Sequence, residues 1–70
     1  MRLTVIGRNP QDANIVLNSQ YISNYHAEII QLDNGDIFLV DKSTNGTYLN
    51  GTKLTPGKEV AIRRGDSILF

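Results

Sequence analysis

Apolar residues in this chain recur with a period of two, and Gly, Asn or Pro interrupts them at short intervals. That pattern constrains the fold more than any other feature, because alternation over a few residues between turn signals builds half-buried strands. Arg2–Ile6 alternates, Ile15–Leu17 is a short apolar stretch, and His26–Leu32 leads through Asn34-Gly35 into Ile37–Asp41. Thr47–Leu49 and Thr52–Leu54 flank Asn50-Gly51, Glu59–Ile62 follows Pro56-Gly57, and Ser67–Phe70 follows Gly65-Asp66. Asn-Gly accepts positive φ at both central turn positions, as type I′ hairpins require. No window carries a useful 3.6-residue apolar period, so little helix is expected. Closely spaced short strands predict an all-β fold, a small antiparallel β-sandwich formed by residues 1–70 as a single domain. The expected interior set is Leu3, Val5, Ile15, Leu17, Ile22, Ala27, Ile29, Leu39, Leu49, Val60, Ile62 and Ile68, with Phe38, Tyr48 and Phe70 partly inside.

Size and charge remove several functional classes. Seventy residues lie near the lower limit for one core without a staple. With no cysteine there is neither a disulfide framework nor a thiolate metal site, and a lone histidine predicts no metal centre and no cofactor. Seven basic residues balance seven acidic ones, and Arg63-Arg64 is the only adjacent basic pair. Nucleic-acid binding, which needs a basic stripe, is therefore not expected. No apolar run approaches the ~20 residues that span a bilayer, so no membrane insertion is expected. The N-terminus turns polar too quickly for a secretory signal, which predicts an intracellular, cytoplasmic setting. In that setting the Asn45-Gly46-Thr47 and Asn50-Gly51-Thr52 sequons and the Arg64-Gly65-Asp66 tripeptide read as turn chemistry.

Three polar pieces interrupt the strands: Gly7-Arg8, Ser23-Asn24-Tyr25-His26 and Ser43-Thr44-Asn45-Gly46-Thr47. Arg8 offers paired donors that match two phosphate oxygens. Gly7 before it permits positive φ or a close backbone approach. Ser23 and Asn24 add a hydroxyl and an amide, which donate without adding charge. The third piece is dense in hydroxyls and amides around a tight Asn45-Gly46 turn. A Ser23, His26 and Asp41 hydrolase is disfavoured, since no Gly-x-Ser-x-Gly elbow surrounds Ser23. Lys42-Ser43 lacks the glycines of a P-loop. No catalytic residue is assigned, and no enzymatic activity is expected.

Taken in order, Gly-Arg, Ser-x-x-His and Ser-Thr-Asn-Gly-Thr followed by Tyr48-Leu49-Asn50-Gly51 resemble the forkhead-associated (FHA) domain, a module that binds phosphothreonine peptides. The resemblance covers Gly7 to Phe70. It implies phosphate-binding roles for Arg8, Ser23, Asn24 and Thr44, and contact of Asn45 with the peptide backbone. Gly7, His26, Gly46 and Asn50 would shape the loops. Many members carry arginine where this chain has Asn24, a swap that removes a charge. The implied partner is a threonine-phosphorylated protein or peptide, a Ser/Thr kinase or one of its substrates. The alternative is a phosphate-independent interaction or self-association domain of the same fold. Members usually carry further strands at both ends, so the resemblance implies a sandwich short of one or two terminal strands. An open edge beside Arg2–Ile6 or Ser67–Phe70 would then favour homodimerisation or strand pairing with another segment.

Overall fold

The alternating segments become strands in the computed structural model, which describes residues 1–70. In chain order they are β1 (Arg2–Gly7), β2 (Ile15–Val16), β3 (Ala27–Gln31), β4 (Ile37–Asp41), β5 (Tyr48–Leu49), β6 (Thr52–Lys53), β7 (Val60–Ile62) and β8 (Ile68–Leu69). No helix forms, and so none is long and apolar enough to cross a membrane. A five-stranded sheet runs β2-β1-β3-β4-β7, and a three-stranded sheet runs β6-β5-β8. Every pair is antiparallel except β1 with β2, where Ile6 faces Ile15 and Gly7 faces Val16. The 8–14 loop doubles back to set β2 beside the end of β1. Asn14 holds it there: its Oδ1 accepts the Val5 N–H at 2.8 Å, and its own N–H donates to the Val5 carbonyl at 2.8 Å.

Register decides which residues go inside, because one residue of slip exchanges the faces. Thr4, Ile29, Leu39 and Val60 lie side by side across four strands, and Ile6, Ala27 and Asp41 form the next row on the same face. Ala27, Leu39 and Leu54 make the core there, with Ile29, Leu49, Val60, Ile62, Ile68 and Phe70 packed around them. Fully burying Leu39 contributes about 2 kcal/mol relative to leaving it in water.

Two expected interior residues are exposed: Leu3 at 48% and Ile15 at 47%. Leu3 stands with Ile30 and Phe38 on the outer face of the large sheet, and Ile15 sits on its edge strand. Ile6, Val40 and Leu54 are buried although the alternation did not select them. Val5 and Val40 belong to the outer face yet are buried; they flank Glu28, whose carboxylate accepts the Tyr25 hydroxyl. That hydrogen bond to Glu28, with burial, pushes the Tyr25 hydroxyl up to about 12. The large sheet is thus covered on both faces near its loops and on one face at the other end.

The two Asn-Gly turns differ. Asn50 and Gly51 have φ of 51° and 84°, the type I′ combination. Asn34, by contrast, keeps a negative φ, and only Gly35 is left-handed, at 96°. Gly35 donates to the Leu32 carbonyl at 3.1 Å, and Leu32 donates to the Asp36 carbonyl at 2.8 Å. The loop is one residue longer than a type I′ hairpin allows, so a turn over Asp33-Asn34 is completed by a left-handed glycine.

Candidate anion-binding site

The site begins where β1 ends. A Cβ on Gly7 would lie 2.0 Å from the Asn24 carbonyl oxygen. Only glycine lets the 22–24 backbone cross so closely. Backbone bonds fasten the crossing: Arg8 N–H to the Ser23 carbonyl at 3.0 Å, and His26 N–H to the Ile6 carbonyl at 2.8 Å. Arg8 then leans over the second loop, with Nε donating to Asn24 Oδ1 at 3.4 Å and Nη1 to the Gln20 carbonyl at 3.4 Å. Both bonds are long, and a guanidinium has five N–H donors, so most of its capacity is unused. No carboxylate pairs with it, since the one ion pair in the chain joins the N-terminal ammonium to Asp33.

The second and third loops are tied directly to each other. Ser23 Oγ accepts the Thr44 N–H at 3.0 Å, and Asn45 Nδ2 donates to the Tyr21 carbonyl at 3.0 Å. His26, fully buried, sits beneath both loops. Its Nδ1 accepts the Ser23 N–H at 3.1 Å, which leaves the hydrogen on Nε2, 3.0 Å from the Gly46 carbonyl. Its ring meets Phe70 edge-on, with centroids 5.8 Å apart.

Asp41 shapes the third loop from within. Its Oδ1 accepts the Ser43 N–H at 2.9 Å, the Ser43 hydroxyl at 2.5 Å and the Thr47 hydroxyl at 2.9 Å. Ser43 Oγ in turn accepts the Gly46 N–H at 2.8 Å. Burial pushes the Asp41 carboxyl up, but the bonds from Ser43 and Thr47, aided by His26, hold it below its ordinary value. Its other oxygen is buried with no hydrogen-bond partner, so the donors crowd one side of the carboxylate.

Arg8, Ser23, Asn24, Thr44 and Asn45 line a single cleft of ≈ 340 Å³. Gln20 and Tyr21 complete its rim and Ile22 its floor, residues whose side-chain types gave no signal because two of them act through backbone carbonyls. Asn50 lies elsewhere, with Oδ1 accepting the Ser67 N–H at 2.9 Å and Nδ2 donating to Asp66 at 3.2 Å. A hydrolytic chain is not assembled. Ser23 Oγ makes no bond to His26, whose Nδ1 is taken by a backbone N–H, while Asp41 serves Ser43 and Thr47. What converges is a set of donors around one unpaired cation with no carboxylate among the lining residues, an arrangement suited to an anion with several oxygens.

The family model for the FHA domain matches residues 4–70. The DNA damage response protein kinase DUN1 of Saccharomyces cerevisiae is 36% identical over 75 residues, covering 97% of this chain and 14% of that protein. The serine/threonine-protein kinase RAD53 of the same yeast is 36% identical over 67 residues, covering 96% of this chain and 8% of that protein. The chain therefore corresponds to a small part of each kinase. Among solved structures, the N-terminal FHA domain of S. cerevisiae Rad53p in complex with a phosphothreonine peptide superposes with a TM-score of 0.89 at 37% identity, covering 96% of this chain and 54% of that one. Together with two sheets that bring the three loops to one cleft, these matches show that the chain belongs to the FHA domain family.

Proposed function

We propose that this chain is a non-catalytic, phosphothreonine-dependent interaction module that binds an extended phosphopeptide across its loop end. The observation that carries the proposal is the convergence of Arg8, Ser23, Asn24, Thr44 and Asn45 on one cleft whose cation has no internal partner. Arg8 takes phosphate oxygens with its unused N–H groups. Ser23 Oγ already accepts from Thr44, so its hydrogen is free to donate. Asn24 presents its amide hydrogens because its oxygen faces Arg8. The Thr44 hydroxyl closes the phosphate site. Asn45 uses its amide nitrogen on Tyr21, which leaves its carbonyl oxygen for a peptide N–H. A phosphate near −2 meets only one full positive charge, so neutral donors carry much of the recognition.

Threonine is preferred over serine where its methyl group finds an apolar niche, a difference of about 1–3 kcal/mol. The partner is a threonine-phosphorylated protein, in keeping with the kinases DUN1 and RAD53 among the relatives and with an intracellular setting. Titrating one extended peptide in bare, phosphothreonine and phosphoserine forms tests this against wild type and Arg8→Ala. Binding is expected for the phosphorylated forms alone, threonine ahead, with a loss of about 3 kcal/mol in the variant. Equal affinity for the bare peptide would instead establish a phosphate-independent interaction domain.

A further inference from the structure

A second groove lies at the opposite end of the large sheet. It measures ≈ 430 Å³ and is walled by Ile37, Phe38, Ala61, Ile62, Arg63 and Arg64, with Asp36 on its rim. β7 is the edge strand there, bonded to β4 on one side only. No backbone group of Val60, Ala61 or Ile62 bonds to any segment other than β4. Neither guanidinium of Arg63 or Arg64 forms a hydrogen bond or ion pair within the chain. The Asp66 carboxylate turns instead to the Arg63 backbone N–H at 2.9 Å and to Asn50.

Register shows what such an edge could accept. Leu3, Ile30, Phe38 and Ala61 form one row across the outer face of the sheet, and the row ends at the smallest of them. A strand added beside β7 would stand about 4.8 Å away and set one side chain opposite Ala61. Phe38 lies one strand beyond Ala61 in the same row, and alanine leaves room for a long apolar side chain to reach across toward it. Past the end of β7, Arg63 and Arg64 would meet the incoming strand's next residues.

We infer that β7 is a docking edge for an extended, unphosphorylated partner segment, in which an apolar residue faces Ala61 and carboxylates face Arg63 and Arg64. Backbone bonds along β7 supply affinity in this mode, and the side-chain pattern supplies selectivity. Neither arginine is in an ion pair, and the two outnumber Asp36 in the lining although Asp66 lies near Arg63, which favours an acidic segment over a neutral or basic one. The surface is separate from the Arg8 cleft and does not depend on phosphate recognition there.

The probe is a short synthetic peptide with two glutamates followed by valine, phenylalanine and threonine in alternation; its control carries lysines in place of the glutamates. Backbone amide NMR should show shifts at Phe38, Ala61, Arg63 and Arg64, and slowed hydrogen exchange in β7, with none at Arg8 or Thr44. The doubly reversed variant Arg63→Glu/Arg64→Glu should weaken binding about tenfold, and the lysine control should bind about tenfold less tightly. Both arginines are exposed, so this variant keeps its fold. Ala61→Glu, a carboxylate on the strand edge that faces the partner's apolar residue and repels its glutamates, should abolish binding while phosphothreonine-peptide affinity stays unchanged.

No binding at millimolar peptide, shifts confined to the Arg8 cleft, or affinity indifferent to charge reversal would each overturn the inference. Concentration-dependent shifts in β7 without peptide would also overturn it, in favour of a second copy of the chain. Inorganic phosphate producing the same shifts would reduce the site to a simple anion contact and overturn it as well.

Discussion

The loop end and the β3–β4 hairpin tip are both polar turns, but they are held together in opposite ways. At the loop end the side-chain bonds reach far along the chain: Thr44 to Ser23 spans 21 residues, Asn45 to Tyr21 spans 24 and His26 to Gly46 spans 20. At the hairpin tip the Asn34 and Asp36 bonds span two residues and Gly35 closes a local turn onto Leu32; the one distant tie, from the N-terminal ammonium to Asp33, lies in solvent and contributes little. A local turn answers only to its own sequence. A cleft made of distant loops answers to every contact that sets one loop against another, so its geometry is more exacting and more easily lost.

Glycine replacements break this comparison most sharply. Gly7→Ala drives a Cβ into the Asn24 backbone. It should cost about 3 kcal/mol in urea denaturation and remove phosphopeptide binding, because the crossing strands must separate. An intact cleft in this variant would show that the crossing does not set the loops.

Asp41→Asn comes next. It weakens the charge-assisted bonds from Ser43 and Thr47 and should cost about 2 kcal/mol at neutral pH. The pH dependence has a definite sign. The carboxyl is held below its ordinary 3.8 in the folded chain, so its stabilising effect is complete above that value and disappears as acid protonates the folded form. The gap between wild type and Asp41→Asn should therefore close as pH falls below about 4. A constant gap down to the acid transition would mean the carboxylate charge is not what the loop uses.

Gly35→Ala should have the smallest effect. Its added Cβ would meet nothing within 4 Å, so only the left-handed φ of 96° is strained. About 1 kcal/mol of stability is expected to go, with phosphopeptide affinity unchanged. Equal losses for the two glycines would erase the distinction between the ends.

Much of the fold is legible in the sequence. Ile37–Asp41 is a strand over the span its alternation indicates, and the turns at Asn34-Gly35, Asn50-Gly51, Pro56-Gly57 and Gly65-Asp66 fall between strands as expected. Alternation puts Leu3 inside because it reports two faces but not which of them a second sheet covers, and Ile15 because it does not tell an edge strand from a central one. Alternation misses Ile6 and Val40 because both faces are covered near the loops, where a two-face pattern no longer applies. The side chains at the cleft were legible by their chemistry, as at Arg8, Ser23 and Thr44. Gln20 and Tyr21 were not, since a backbone carbonyl belongs to every residue type. Nothing in the sequence ties Asp41 to Ser43 and Thr47, because that bond exists only once the turn brings the three together.

The bond from the Thr44 backbone to the Ser23 hydroxyl has a bearing on when this chain becomes competent to bind. During synthesis, β1 to β4 can leave the ribosome as paired hairpins while the receptor is still in pieces, since its last wall comes from residues 43–47. Contacts between distant segments also form late in folding, after the entropy of closing the long loops has been overcome. Nascent, truncated or partly melted chains should therefore stay silent toward phosphorylated partners, and recognition itself reports that the last loop has docked.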